Sequence, residues 1–293
     1  MVKLYKDLGK TAKKLLNDDF ICGEKKIQLK TKTDSGMTYT TTGKLLSKVE
    51  TIAPKDDKDT PKEQLIETLC GDLSCKYKLS GATMTTKLFT SGMLTQEVEL
   101  ENTGVKGLKL NVLGLLGEKQ SLLATAEYIH PHVSFVAKAD ALAKAAVTSS
   151  MTVGMHGITA GVQGTLDIES KNVNKVDAIL NYSSGKEHEA TVMLMDKGKK
   201  AKFAYSHVRN SDFSVAAEFE YNRDKDSKEL AMGTKYEVDR DTTLKTKITS
   251  GGSFSVSYIQ DIRANTTLTI CSNFNVIGDK KPSHRFGLAL VIE

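Results

Sequence analysis

From Lys26 onward, apolar and polar residues alternate one for one in run after run, and few architectures accommodate such a pattern. Side chains of period two stand on opposite faces of an extended strand. Phe213, Val215, Ala217, Phe219 and Tyr221 point one way, and Ser214, Ala216, Glu218 and Glu220 the other. Leu268, Ile270, Phe274 and Val276 oppose Thr267, Thr269, Asn273 and Asn275. Phe254, Val256 and Tyr258 oppose three serines, and Leu244 and Ile248 oppose Lys245 and Lys247. Val176, Ala178, Leu180 and Tyr182 oppose Lys175, Asp177, Asn181 and Ser183. Turn signals such as Asp34-Ser35-Gly36, Ser80-Gly81, Ser184-Gly185-Lys186, Lys197-Gly198-Lys199 and Ser250-Gly251-Gly252 punctuate the runs. The four prolines, Pro54, Pro61, Pro131 and Pro282, fall between strands, because proline cannot donate to a ladder. Counting the runs gives about 19 strands between Lys26 and Ile292, each with its turn taking about 14 residues. Alternation is weakest over Gly107–Gly117 and Leu122–Tyr128, and Glu50–Lys62 carries no apolar pattern and reads as a long exposed loop.

An open sheet of this size exposes two edges and a large face. A pair of soluble sandwiches, the competing architecture, needs its apolar faces to meet in a core, with fully apolar central strands. Here one face of nearly every strand is aliphatic and aromatic, and the other carries Thr, Ser, Lys, Glu and Asn. In lipid every backbone group must be paired, so such a sheet has to close on itself. Closing about 19 strands leaves a lumen too wide for side chains to fill. The expected fold is therefore all-β, a single transmembrane β-barrel with a wet, polar lumen through which small hydrophilic solutes diffuse. No stretch approaches the roughly 18 consecutive apolar residues of a membrane-crossing helix, and the N-terminus lacks the apolar segment of a secretory signal.

The first residues follow a different rule. Val2, Tyr5, Leu8, Ala12 and Leu15 fall at helical spacing, while Lys3, Lys6, Lys10, Lys13 and Lys14 occupy the rest of the wheel. This predicts one short basic amphipathic helix that ends near Asn17-Asp18-Asp19, lying on a membrane surface or on a polar wall, with Gly23 as a flexible joint. Residues 1–25 are thus expected to be helix and hinge, and residues 26–293 the barrel. The net charge of +5 fits an anionic permeant, and nucleic acid is not among the expected partners.

No catalytic constellation emerges. Cys22, Cys70, Cys75 and Cys271 form no CxxC pair and no metal-ligand spacing, so four inert or occasionally oxidised thiols are expected. Of the six histidines only His130 and His132 are close in sequence, and a turn at the membrane interface suits them better than a metal. Glu97, Glu99 and Glu101 share a strand face, as do Glu218 and Glu220, and read as wall charges rather than an acid/base pair. No enzyme activity, cofactor or metal is expected. The useful chemistry is electrostatic: Lys30, Lys32, Lys109, Lys175, Lys202, Lys235, Lys245 and Lys247 sit on polar faces, and with the helix lysines bias the lumen weakly toward anions.

Several segments resemble the mitochondrial porins, the voltage-dependent anion channel family. Tyr5-Lys6-Asp7-Leu8-Gly9-Lys10-Thr11-Ala12 is similar to that family's N-terminal helix motif. Ile27-Gln28-Leu29-Lys30-Thr31-Lys32-Thr33 resembles its first strand, Gly107-Leu108-Lys109-Leu110 an internal strand, and His284-Arg285-Phe286-Gly287-Leu288-Ala289-Leu290 its closing strand. The family has 19 strands, and the count above leans on that number. The resemblance implies a voltage-gated channel of the mitochondrial outer membrane for metabolites, including adenine nucleotides. It also implies a helix inside the barrel that takes part in gating, and a parallel pairing of first and last strands near Ile27 and Leu288. The resemblance carries nucleotide contacts over to Lys10 and Lys13. Arg285, Gly287, Leu290 and Ile292 fill the places of a barrel-insertion signal; the plainer reading is a closing strand whose glycine relieves crowding. Departures exist: a single Gly23 where relatives carry several glycines, Thr86 where many animal members have a lipid-facing Glu, and a longer Glu50–Lys62 connection. Competing functions are a protein-import barrel of the same superfamily and a membrane scaffold for soluble partners such as kinases or apoptotic regulators. Self-association into homo-oligomers is compatible with each.

Overall fold

Each alternating run becomes a strand, and the strands close into one sheet. The structure, a computed structural model, describes residues 2–52, 62–101, 104–117, 120–142, 146–168, 172–185, 187–276 and 284–293, with backbone alone at 47–52 and 62–66. A 3-10 turn at Tyr5–Asp7 and helix α1 (Lys10–Asn17) precede the sheet. Strands follow as β1 (Glu24–Lys32), β2 (Thr38–Ile52), β3 (Lys62–Leu79), β4 (Ala82–Phe89), β5 (Leu94–Leu100), β6 (Leu108–Leu116), β7 (Ser121–Ile129), β8 (Val133–Asp140), β9 (Ala146–Met155) and β10 (Ile158–Asp167). The second half comprises β11 (Val173–Ser184), β12 (His188–Met195), β13 (Lys200–Val208), β14 (Phe213–Asn222), β15 (Ser227–Asp239), β16 (Thr242–Thr249), β17 (Ser253–Arg263), β18 (Thr266–Asn275) and β19 (Arg285–Ile292).

Every strand pairs antiparallel with its sequence neighbours, and β1 also pairs parallel with β19, so the 19-stranded sheet has no free edge. The parallel register sets Lys25 against Leu288 and Ile27 against Leu290, two residues from the pairing expected. The weakly alternating segments are the strands β6 and β7. The long β2–β3 connection is shorter than expected: Glu50, Thr51 and Ile52 pair with Gln64, Glu63 and Lys62, because a hairpin ladder continues without apolar alternation. Its tip, 53–61, with Pro54 and Pro61, lies outside the described residues, as do Pro282 and Lys186.

The burial pattern is the inverse of a water-soluble protein. Leu69 and Ile27, on the outer face, are 76% and 55% exposed, with Leu88, Leu180, Phe203 and Ile248 among many more. Among the fully buried side chains are Asn181, Thr152, Thr191, Ser134, Ser206 and Ser257, all turned inward. An apolar band this extensive is untenable in water and natural against hydrocarbon.

Candidate functional site: the lumen and its N-terminal segment

The N-terminal segment lies inside the barrel, on the wall rather than on a membrane surface. It is not one helix. Leu8 is extended and Gly9 takes φ 70°, a left-handed conformation that glycine adopts without strain, so the chain turns between the 3-10 turn and α1. The two pieces therefore address different strands: the turn packs on β9 and β10, and α1 on β13, β14 and β15.

Small inward-facing residues make the seat. Ala12, Leu15 and Leu16 form one buried cluster with Ala204 of β13 and Ala216 of β14. A Cβ on Gly233 of β15 would stand 2.8 Å from Leu16 Cδ2. Similarly, a Cβ on Gly161 would approach Tyr5 Cδ2 at 3.1 Å, and one on Gly154 would approach Val2 Cγ2 at 3.2 Å. Val2, Leu4, Leu8, Ala12, Leu15 and Leu16 are all buried, and each large aliphatic side chain contributes about 1.5–3 kcal/mol to docking.

Polar contacts fix the register of the segment. Lys3 Nζ lies 2.9 Å from Glu189 Oε1, and the Thr11 N–H donates to Glu189 Oε2 at 3.4 Å. Asn181 Nδ2 donates to the same carboxylate at 3.1 Å and to Thr191 Oγ1 at 2.7 Å. Thr152 Oγ1 donates to the Lys3 carbonyl at 2.9 Å. Lys6 pairs with Glu127 of β7. At the far end Lys245 Nζ reaches Asp19 Oδ2 at 2.6 Å, and Ser257 Oγ donates to the Asp19 carbonyl at 2.7 Å. The hinge then meets β18 and β19: Cys22 is disulfide-bonded to Cys271, and the Gly23 N–H donates to the Phe286 carbonyl at 3.2 Å. A Cβ on Gly287 would fall 2.0 Å from the Ile21 carbonyl oxygen, so only glycine lets the hinge lie this close. The expectation of four inert or occasionally oxidised thiols is thus corrected for Cys22 and Cys271, whose disulfide spans 249 residues and has no local signal. Cys70 and Cys75 remain thiols. Gly23, expected as a free joint, is held in the ladder by its bond to Phe286.

The lysines singled out from sequence divide into two groups. Lys3, Lys6 and Lys10 pair with Glu189, Glu127 and Asp7. Lys30, Lys109, Lys202, Lys235 and Lys245 likewise have carboxylate partners in Glu293, Glu101, Glu218, Glu237 and Asp19. Of the lysines singled out, Lys13, Lys14, Lys32, Lys175 and Lys247 have no carboxylate among the described residues within 4.0 Å, Lys247 instead donating to Asn17 Oδ1 at 3.4 Å. A cavity of about 640 Å³ between α1 and the wall gathers Lys10, Lys14, Lys235 and Lys245 beside Asp7, Asp18 and Asp19; Lys13 does not line it.

Within the carboxylate runs, Glu97 accepts from Asn111 Nδ2 at 2.6 Å, Glu101 pairs with Lys109 and Glu218 with Lys202. His130 and His132 lie in the β7–β8 connection with ring centroids 6.3 Å apart. His188 and His207 are cross-strand neighbours, stacked at 4.3 Å, a pairing that their separation in sequence hid. No group of three His, Cys, Asp or Glu among the described residues is placed to hold a metal ion. Thr86 shares the outward face of β4 with exposed Leu88 and sits between Cys75 and Gln96. In β19, Gly287 turns inward against the hinge, while Phe286 and Ile292 face outward.

A closed sheet, apolar outside and polar within, with a charged segment seated along its inner wall, defines a membrane-spanning β-barrel pore. Lipid surrounds it and small solutes are its permeants. The chain belongs to the eukaryotic porin family, whose model matches residues 2–287. It is 24% identical over 291 residues to the rice protein named mitochondrial outer membrane protein porin 6, covering 99% of this chain and 97% of the relative. It is 26% identical over 305 residues to the voltage-dependent anion-selective channel of Drosophila melanogaster, covering 99% and 98%. The Candida albicans mitochondrial outer membrane protein porin is 26% identical over 295 residues, covering 98% and 97%. Among solved structures, a triple mutant of Rhodopseudomonas blastica porin is similar with a TM-score of 0.52 at 8% identity, covering 87% of this chain and 97% of that one. That likeness concerns the wide-barrel fold alone.

Proposed function

We propose that this chain forms a voltage-gated, weakly anion-selective diffusion pore of the mitochondrial outer membrane. It passes small hydrophilic metabolites, adenine nucleotides among them. The observation that carries the reading is the N-terminal segment, seated inside a closed 19-strand barrel on a small-residue track and held at its ends by ion pairs. Residues 1–25 serve as gate and hinge, and residues 26–293 as the conducting wall.

Magnitudes favour a releasable gate. Lys3 and Lys6 are about half exposed to the lumen, so each pair is worth roughly 0–1 kcal/mol. The membrane field acts on a charge with about 2.3 kcal/mol per 100 mV. A few lysines moving through part of that field therefore compete with the buried aliphatic contacts of α1. Selectivity is weak because many of the lysines singled out are paired with carboxylates; Lys13, Lys14, Lys32, Lys175 and Lys247 are among those that carry the excess, with Lys10 beside the cavity. Lys10 and Lys13 are the proposed nucleotide contacts, and Lys14 lines the cavity with Lys10. Arg285, Gly287, Leu290 and Ile292 act as the insertion signal. Soluble kinases dock on the β2–β3 hairpin, and copies of the chain associate through their outer faces.

The test is a planar bilayer with purified protein. Large conductance steps that close at high potential, with a reversal potential displaced weakly toward the anion in a salt gradient, are expected. Folded, inserted protein that conducts nothing would falsify the reading.

A further inference from the structure

Between the end of α1 at Asn17 and the start of β1 at Glu24, the chain runs as a short hinge along the inner wall. Non-covalent contacts tie it there: Lys245 to Asp19 and to the Asp18 carbonyl, Ser257 to the Asp19 carbonyl, Lys247 over the Phe20 ring, and Gly23 to Phe286. To these the Cys22–Cys271 disulfide adds a covalent bond at the joint itself. Gly287, where a Cβ would also stand 3.2 Å from Cys22 Cα, keeps the wall low enough for the hinge to lie flat beside it. Cys271 is 0% exposed, whereas Cys22 is only partly covered. The two remaining thiols are poorly placed to replace this bond. Both lie on β3, and their five-residue spacing puts them on opposite faces of the strand.

We propose that the Cys22–Cys271 disulfide is a redox-operated latch on the hinge of the N-terminal segment, opened by low-molecular-weight thiols that enter through the lumen. The proposal rests on reading that segment as the gate. A water-filled pore that passes small solutes brings such a thiol to the bond. Its thiolate attacks the sulfur of Cys22, the less covered residue of the two, the sulfur–sulfur bond breaks, and Cys271 leaves as a thiolate. A second thiolate attacks the mixed disulfide and releases Cys22. The balance is two small thiols oxidised to one small disulfide, with two electrons and two protons transferred to Cys22 and Cys271. A small disulfide of the same class closes the latch by the reverse exchange. When closed, the bond permits α1 to leave the Ala204–Ala216–Gly233 seat only as far as a pinned hinge allows. When open, the hinge is held by its non-covalent contacts alone, and the gate moves more freely.

The experiment uses the full chain carrying Cys70→Ser and Cys75→Ser, so that Cys22 and Cys271 are the only redox-active residues. The same folded protein is equilibrated with reduced or oxidised glutathione, and alkylation mass confirms its state. Amide hydrogen exchange over residues 18–24 and voltage-dependent closure are then measured. Reduction should accelerate exchange in the hinge by roughly tenfold or more, and closure should occur at lower potential. The further variant Cys22→Ser should behave as reduced in both buffers. Failure of oxidised glutathione to join Cys22 to Cys271, or identical hinge exchange in the two states, overturns the latch. Faster exchange with unchanged closure supports the latch and instead removes the gating role assigned to the segment.

Discussion

Lys3 of the N-terminal segment and Glu189 of β12 meet inside the barrel at 2.9 Å, and the same carboxylate accepts from the Thr11 backbone on the other side of the break at Gly9. One wall residue thus holds both pieces of the segment. Replacing it with glutamine removes the charge while keeping the shape. Because Lys3 is nearly half exposed, the loss is modest, about 1–2 kcal/mol for an ion pair and a charge-assisted hydrogen bond together. The expected outcome for Glu189→Gln is closure at lower potential with unchanged open conductance, read from steady-state conductance against voltage.

Anion preference is expected to depend on the lysines of α1, of which Lys13 and Lys14 have no carboxylate among the described residues within 4.0 Å. Changing Lys10, Lys13 and Lys14 together to glutamate should shift the reversal potential in a salt gradient toward cations. Lys6→Gln, which leaves Glu127 behind, should shift it less. An unchanged reversal potential in the triple variant would place the segment away from the ion path.

Gly233 tests the seat. A side chain there meets Leu16 Cδ2 at 2.8 Å and the Thr246 carbonyl oxygen at 2.9 Å. Gly233→Val suits a strand by propensity but overpacks the contact, at a cost of about 1–3 kcal/mol. The barrel should still form, with α1 displaced. Tryptic cleavage at Lys13 and Lys14, fast in the variant and slow in the parent, reads this directly.

Alkaline pH provides a separate handle. Burial, with a smaller contribution from the charge of Asp177, pushes the Tyr5 phenol from 10.0 up to about 12. The docked state therefore favours the neutral phenol. Its contribution is fully present below pH 10.0 and is lost as pH rises through about 12. Hydrogen exchange of residues 2–8 should accelerate across that window in the parent. In Tyr5→Phe the lysines still titrate but this component should be missing, so equal acceleration in both proteins would exclude it.

The strands and their faces were legible because period two is a local property: Phe213, Val215 and Ala217 declare their side without reference to any other strand. Lys245 and Lys247 were placed on the lumen face by the same rule. What escaped were relations between distant residues. Glu189 is separated by 186 positions from Lys3, and nothing near Glu189 marks it as an anchor. Cys22 and Cys271 lacked a signal for the same reason. The break at Gly9 was hidden because a helical wheel averages over Leu8 and Gly9, whereas the actual turn depends on one left-handed residue. The β2–β3 hairpin outran its apolar pattern because backbone pairing persists where side chains no longer alternate.

Every join in this wall is a hairpin between consecutive strands except one. At the line where β1 runs parallel to β19, Lys25 finds Leu288 only after the rest of the sheet has been laid down. That junction has the largest loop to close and the slightly weaker ladder of a parallel pair. It should be the last to zip during assembly and the first to part when the barrel is stretched or melted. The covalent tie at Cys271 and the Gly23–Phe286 bond lie beside it, so the pore is stapled next to the line along which it would otherwise unroll.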